Sequence, residues 1–158
     1  MTHDKDIEQT PYNVVFEHFL GGISDPDFAL YTNDILEEQM VYLLNAAIPA
    51  FTYPKKNLRD KNDREMVFNV ALDVDEIAIL GKLMTIEWLS KRISDAEMME
   101  NPMTVTDFTS PNQGSMMRAM VVALNDARKE ADHLIMAYGR RSDDFGTSRF
   151  TELGGAKR

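Results

Sequence analysis

Glu130 and His133 stand three residues apart, the spacing at which one helix face can present two ligands to a metal pair, as in ferritin-like di-metal bundles. Such a centre needs a second Glu-x-x-His pair and further glutamates pointing inward. The other two histidines, His3 and His18, stand in no such pattern, and Glu130 and His133 point away from the apolar stripe of their helix. The pair therefore reads as a solvated face, and a di-metal helical enzyme would have to carry bound iron or manganese to be entertained. Serine, threonine and tyrosine nucleophiles are present, but three scattered histidines do not define a Ser/His/acid triad. Gly21-Gly22 and Gly154-Gly155 sit at a helix stop and in the terminal tail, so neither is a phosphate loop following a strand. The carboxylate pairs Glu37-Glu38 and Asp143-Asp144 read as helix surface and tail. No catalytic, cofactor or metal residue is assigned, and the chain is read as a non-enzyme.

The composition narrows the field further. With 158 residues, 44% of them hydrophobic, the chain can close one core without staples. The absence of cysteine removes disulfides, Cys-ligated zinc and thiol nucleophiles together, and suits a reducing compartment. The polar, acidic start from Met1 to Glu8 and the short apolar runs predict neither a secretory signal nor a membrane span. A formal charge of −9 repels phosphate backbones, which argues against sequence-specific DNA or RNA binding. An acidic wall would instead suit a channel through which DNA slides without sticking, although acidic surfaces commonly serve solubility alone.

The periodicity predicts an all-α bundle of about four helices, with an N-terminal arm at 1–10, a bundle at 11–139 and an extended C-terminal arm at 140–158. Thr10-Pro11 reads as the N-cap and first position of a helix from Tyr12 to Leu20, stopped by Gly21-Gly22. A second helix begins after Thr32-Asn33, carries Leu36, Met40, Leu43 and Ala47 at helical spacing, and is ended or kinked by Pro49. From Thr52 to Asn69 a dense alternation of charges predicts an exposed loop. Asp73 and Glu76 form a capping box that opens a helix from Val74 to about Ile93. Its apolar residues fall almost all the way round, so it is either the central helix of the bundle or it buries a face against another subunit.

Ser110 with Gln113 repeats the capping-box pattern and opens a last helix from Pro111 to Tyr138, with Gly139 placed as its stop. Met116, Met120, Ala123, Leu124, Ala127, Ala131, Leu134 and Tyr138 make its apolar stripe. The tail beyond is polar and is expected to lack stable structure in isolation, yet Arg140, Arg141, Phe145, Phe150 and Leu153 punctuate it as in a segment that orders on a partner. Among the eleven methionines, Met98, Met99 and Met103 lie in a poorly patterned stretch and, with Phe108, are the candidate subunit interface.

The run Phe68-Asn69-Val70, Leu72, Glu76-Ile77, Leu80, Leu83-Met84 and Trp88-Leu89, followed by Asp107-Phe108, Ser110, a long helix and a polar arm, resembles the helical neck proteins of tailed bacteriophages. The likeness to these head-to-tail adaptor or connector proteins covers residues 12 to 141 and rests on helix order and apolar spacing, with no catalytic motif. It implies a structural virion protein made in the host cytoplasm and placed at the head-tail junction. It further implies a homo-oligomeric ring, twelve-fold by resemblance, that binds the portal and other neck or tail proteins and continues the DNA channel. The arm after Gly139 would then supply much of the attachment to the portal. A cytosolic helical protein-binding module or assembly chaperone is the competing expectation.

Overall fold

The computed structural model describes residues 9–23, 32–99 and 111–151. Four α-helices dominate it: α1 (Tyr12–Gly21), α2 (Asn33–Ala47), α3 (Val74–Met99) and α4 (Pro111–Thr151). Three two-residue strands, β1 (Thr10–Pro11), β2 (Lys61–Asn62) and β3 (Val67–Phe68), form a small antiparallel sheet in the order β1-β3-β2. The all-α reading of the periodicity holds, and the sheet is a local clasp on one end of the bundle.

α3 is the central helix. Its apolar residues show almost no bias to one side, because α1, α2 and α4 all pack on it and each needs an apolar face to meet. Ile79, Leu80, Leu83 and Met84 are buried among Val15 and Phe19 of α1, Leu43, Leu44 and Ala47 of α2, and Ala131 and Tyr138 of α4. α1 approaches α3 most closely at Gly81, where a Cβ would lie 2.9 Å from His18 Cβ and 3.2 Å from the Phe19 backbone nitrogen. The missing side chain is what lets the two backbones come this near.

Thr10 does not cap α1. The backbone at Pro11 precedes the helix without a side-chain cap, and Thr10 lies in β1 paired to Phe68. Its buried hydroxyl donates to the Val70 carbonyl (3.1 Å) and accepts from the Leu72 amide (2.8 Å), tying the chain entrance to the segment that leads into α3. Tertiary pairing has taken the oxygen that local sequence assigned to the helix end. Thr10→Val keeps the shape and orphans both backbone groups, so a loss of about 1–3 kcal/mol is expected, read as a lower urea midpoint at unchanged slope.

α2 ends as its Pro49 predicts, in a 3₁₀ turn over Ile48–Ala50. The charged stretch after it is mostly irregular, but Lys61–Asn62 and Val67–Phe68 pair across a turn, and Tyr12 Oη reaches over to donate to Asp63 Oδ1 at 2.6 Å. The Asp73–Glu76 capping box forms as expected, with each side chain accepting from the other's amide at 2.9 Å.

Two helix ends differ from the sequence reading. α3 runs past Ile93 to Met99, helped by the Lys91–Asp95 pair one turn apart, so the poorly patterned stretch at Met98 and Met99 is helical. α4 does not stop at Tyr138: it passes through Gly139 and continues to Thr151, 41 residues in all and about 60 Å long. The extended arm assigned to 140–158 is therefore helical from Arg140 to Thr151. Tyr138 and Arg141 are both fastened to α3, and these contacts carry the helix across a glycine that by propensity alone would weaken it by about 1 kcal/mol.

Candidate functional site

Among the described residues, no concave site gathers the tail and interface candidates singled out in the sequence. They fall at the two ends of the antiparallel α3–α4 pair, separated along α3 from Asp75 to Met98 by about 35 Å. Each end is built differently.

At the first end, the start of α3 is locked to α4 by a polar cluster. Glu76 is fully buried at 0% exposure, and both of its oxygens are occupied. Oε1 accepts from the Tyr138 hydroxyl at 2.6 Å; Oε2 accepts from the Asp73 amide and pairs with Lys56 Nζ at 3.0 Å. The same Tyr138 oxygen accepts from the Lys55 amide at 3.0 Å, Lys55 Nζ lies 4.4 Å above the phenol ring, and Phe51 meets that ring edge-on at 5.4 Å. One tyrosine thus fastens the 51–56 loop, the N-terminus of α3 and the exit of α4. One turn on, Arg141 pairs with Asp75.

Desolvation, and then the hydrogen bond to Glu76, push the Tyr138 hydroxyl well above the ordinary tyrosine range. Burial and the Asp63 carboxylate do the same to Tyr12. Asp63 moves the other way, held below the usual carboxylate range first by its hydrogen bond to Lys61 and then by that from Tyr12. By linkage, the Asp63 contribution is complete above the ordinary carboxylate range and is lost as pH falls through its lowered folded value. The tyrosines contribute below pH values near 10, where an unfolded phenol begins to ionise, and lose that contribution above. Tyr12 and Tyr138 are buried, and Asp63, although it lines an open cleft beside α2, is engaged by Lys61 and Tyr12, so these groups serve as structural clamps.

Of the residues predicted for the tail, Arg141 joins this cluster and Arg140 is exposed beside it. Phe145 and Phe150 lie on the helical run to Thr151, which carries α4 about 15 Å beyond Arg141. Leu153 lies outside the described residues.

At the second end, α3 and α4 continue as a two-helix arm. Leu89, Leu124 and Ala127, with Ile86, Trp88 and Ile93 against them, make a small core between these two helices, joined to the main core by Ile86 and by Trp88, which meets Phe19 of α1 edge-on at 6.5 Å. The stripe on α4 is consequently buried at Leu124, Ala127, Ala131 and Tyr138, whereas Met116 and Ala123, assigned to the same stripe, are exposed. Met98 is 74% exposed on the opposing helix. The other candidate interface residues, Met103 and Phe108, lie outside the described residues, while Met99 closes α3. Glu130, weighed above as a ligand, pairs with Lys82 at 2.7 Å, and His133 is exposed. Among the described residues, no group of three or more acidic or histidine side chains is placed to hold a metal ion. None of the described helices is long and apolar enough to cross a membrane.

The sequence reading missed two features. The Glu76–Tyr138 bond joins residues sixty-two positions apart, and only the capping-box half of it has a local signature. Tyr53 is the other: its backbone is left-handed (φ 57°), and its side chain is 93% exposed. The Tyr-Pro-Lys-Lys run at 53–56 was visible as a loop, but left-handed backbone at a tyrosine has no sequence mark.

Comparison with known proteins returned no matching family model, no matching curated protein and no matching solved structure.

Proposed function

We propose that this chain is a structural assembly protein of a tailed-phage neck, a ring-forming head-to-tail adaptor that binds the portal and provides the attachment platform for the tail. The observation that carries the attachment half of this reading is the continuation of α4 about 15 Å beyond Arg141, to Thr151. A helix fastened at its root by Tyr138 and Arg141, and continuing beyond its last described contact with the bundle, is suited to lie against another protein. The resemblance in helix order supplies the phage half. The acidic excess fits a passage that DNA traverses without binding.

The competing reading, a cytosolic binding module or assembly chaperone, draws on exposed Met98 and Met116 at the far end, since thioether side chains adapt to varied partners. The two readings differ in fate, because an adaptor stays in the finished particle and a chaperone leaves. Peptide mass spectrometry of gradient-purified virus particles from the source separates them. Presence at a low, fixed copy number relative to the major capsid protein is expected; reproducible absence would remove the neck reading and leave the binding module.

A further inference from the structure

The exposed side of α4 changes character along its length. From Asn125 to His133 every exposed position is polar or charged, as a solvated helix face requires. From Met116 to Ala123, by contrast, Arg118 is the one charged residue, and Met116 (57%), Val121 (40%) and Val122 (59%) are exposed together with Ala119 and Ala123. Here α4 belongs to the two-helix arm, where α3 meets it from one side, at Leu124 and Ala127. Valine is a weaker helix former than alanine, and an exposed valine buries nothing in return, so the fold of a single copy does not explain Val121 or Val122. A contiguous apolar patch rimmed by charge marks a surface that another chain covers.

The charges at its rim say which chain. Arg118, Val122 and Asp126 stand four residues apart on one ridge of α4, with the cation and the carboxylate each about 6 Å from the valine along the axis. Two such ridges laid antiparallel about a two-fold axis at Val122 bring each Arg118 opposite the Asp126 of the other copy, because the two positions are equally far from the centre. A parallel pair would set arginine on arginine and aspartate on aspartate, so the charges select the antiparallel one. Both side chains lie at the surface. Arg118 gives its Nε to the Gly114 carbonyl at 3.0 Å, and Asp126 meets Lys129 of its own helix at 3.7 Å, a pair exposed at 68% and 80% that contributes little in water. Ala119 and Ala123, beside the valine, leave room for a second helix to approach.

We propose that α4 of one copy of this chain packs antiparallel on α4 of a second copy, centred on Val122 and flanked by two Arg118–Asp126 ion pairs. The contact is isologous and closes at two copies. One helix from each partner buries less than the roughly 1,600 Å² of a standard interface, so the pairing is weak and reversible. It goes beyond the neck reading and does not depend on it, since a ring is built from unlike patches and this face meets only itself.

Sedimentation of the purified full chain across a concentration series reaching about 1 mM tests it. The wild type is expected to pair. Val122→Glu, Arg118→Asp and Asp126→Arg should each weaken pairing at least tenfold. An equimolar mixture of Arg118→Asp and Asp126→Arg should regain it as a mixed dimer, because every cation then faces a carboxylate again, and the double variant carrying both changes should pair with itself as the wild type does. Misfolding cannot mimic that recovery. A wild type that stays monomeric throughout overturns the contact, as does a mixture no better than its components. Association that survives all three single changes overturns it too and assigns assembly to another surface. Virion proteomics decides the neck reading independently of these results.

Discussion

Replacing Gly81 with leucine is expected to abolish most of the stability of the fold. The Cβ alone would stand 2.9 Å from His18 Cβ and 3.2 Å from the Phe19 amide nitrogen, and neither is the movable end of a long side chain. Relief requires α1 to move away from α3, which would loosen Phe19 and Val15, both fully buried in that contact. Overpacking a tight core costs about 1–3 kcal/mol per modest insertion, and a whole leucine at a backbone-to-backbone crossing lies at or beyond the upper end. Gly81→Ala separates the opposing terms: alanine gains about 1 kcal/mol in helix propensity, yet clashes with the same two atoms, so a smaller net loss is expected. Chemical denaturation monitored by helical circular dichroism reads both variants. An alanine variant more stable than wild type would show that α1 yields at no cost and would sink the argument.

Removal of the Glu76 carboxylate is the second change expected to act strongly. Glu76→Ala leaves the Tyr138 hydroxyl and the Asp73 amide without their acceptor and takes from Lys56 the nearer of its two carboxylates, leaving Asp73 at 3.9 Å. Breaking a buried charge cluster from one side costs about 3–5 kcal/mol. Lys56 retains partial access to water, which places the expected loss at the lower end, near 3 kcal/mol. Tyr138→Phe keeps the ring against Phe51 and removes only the oxygen, so about 1–3 kcal/mol is expected from the unpaired Lys55 amide and Glu76 oxygen. The double variant should be less destabilised than the sum, because both single changes break the same bond. Strict additivity in a double-mutant cycle would mean that the Tyr138–Glu76 bond contributes nothing.

What the sequence disclosed follows from the range over which each signal acts. Helix type and order were legible because periodicity is local: Leu36 to Ala47 in α2 and Ile77 to Leu89 in α3 carry their burial pattern within a few turns. The capping box at Asp73 was legible for the same reason. Gly139 misled, since its local preference for a helix stop was outweighed by Tyr138 and Arg141, whose partners at Glu76 and Asp75 lie far away in the chain. Thr10 misled similarly: its partners at Val70 and Leu72 lie across the sheet. Of the candidate contact residues, Met98 could be named from sequence, but its exposure depends on where α1 and α2 cease to cover α3. Tyr53 could not be found at all, because its interest lies in a backbone angle set by packing beneath it.

The position of Tyr138 in the chain also bears on the order in which the protein can be made. Every other buried member of the main core precedes it in sequence, from Tyr12 through Ala131. While the polypeptide is still emerging from the ribosome, α1, α2 and α3 can already gather, but the Glu76 carboxylate keeps its water until the turn of α4 that carries Tyr138 arrives. A nascent chain is thus held with its core open on one side. Closure by a tyrosine sixty-two residues after Glu76 delays the rigid form of the 51–56 loop until α4 has been made as far as Tyr138.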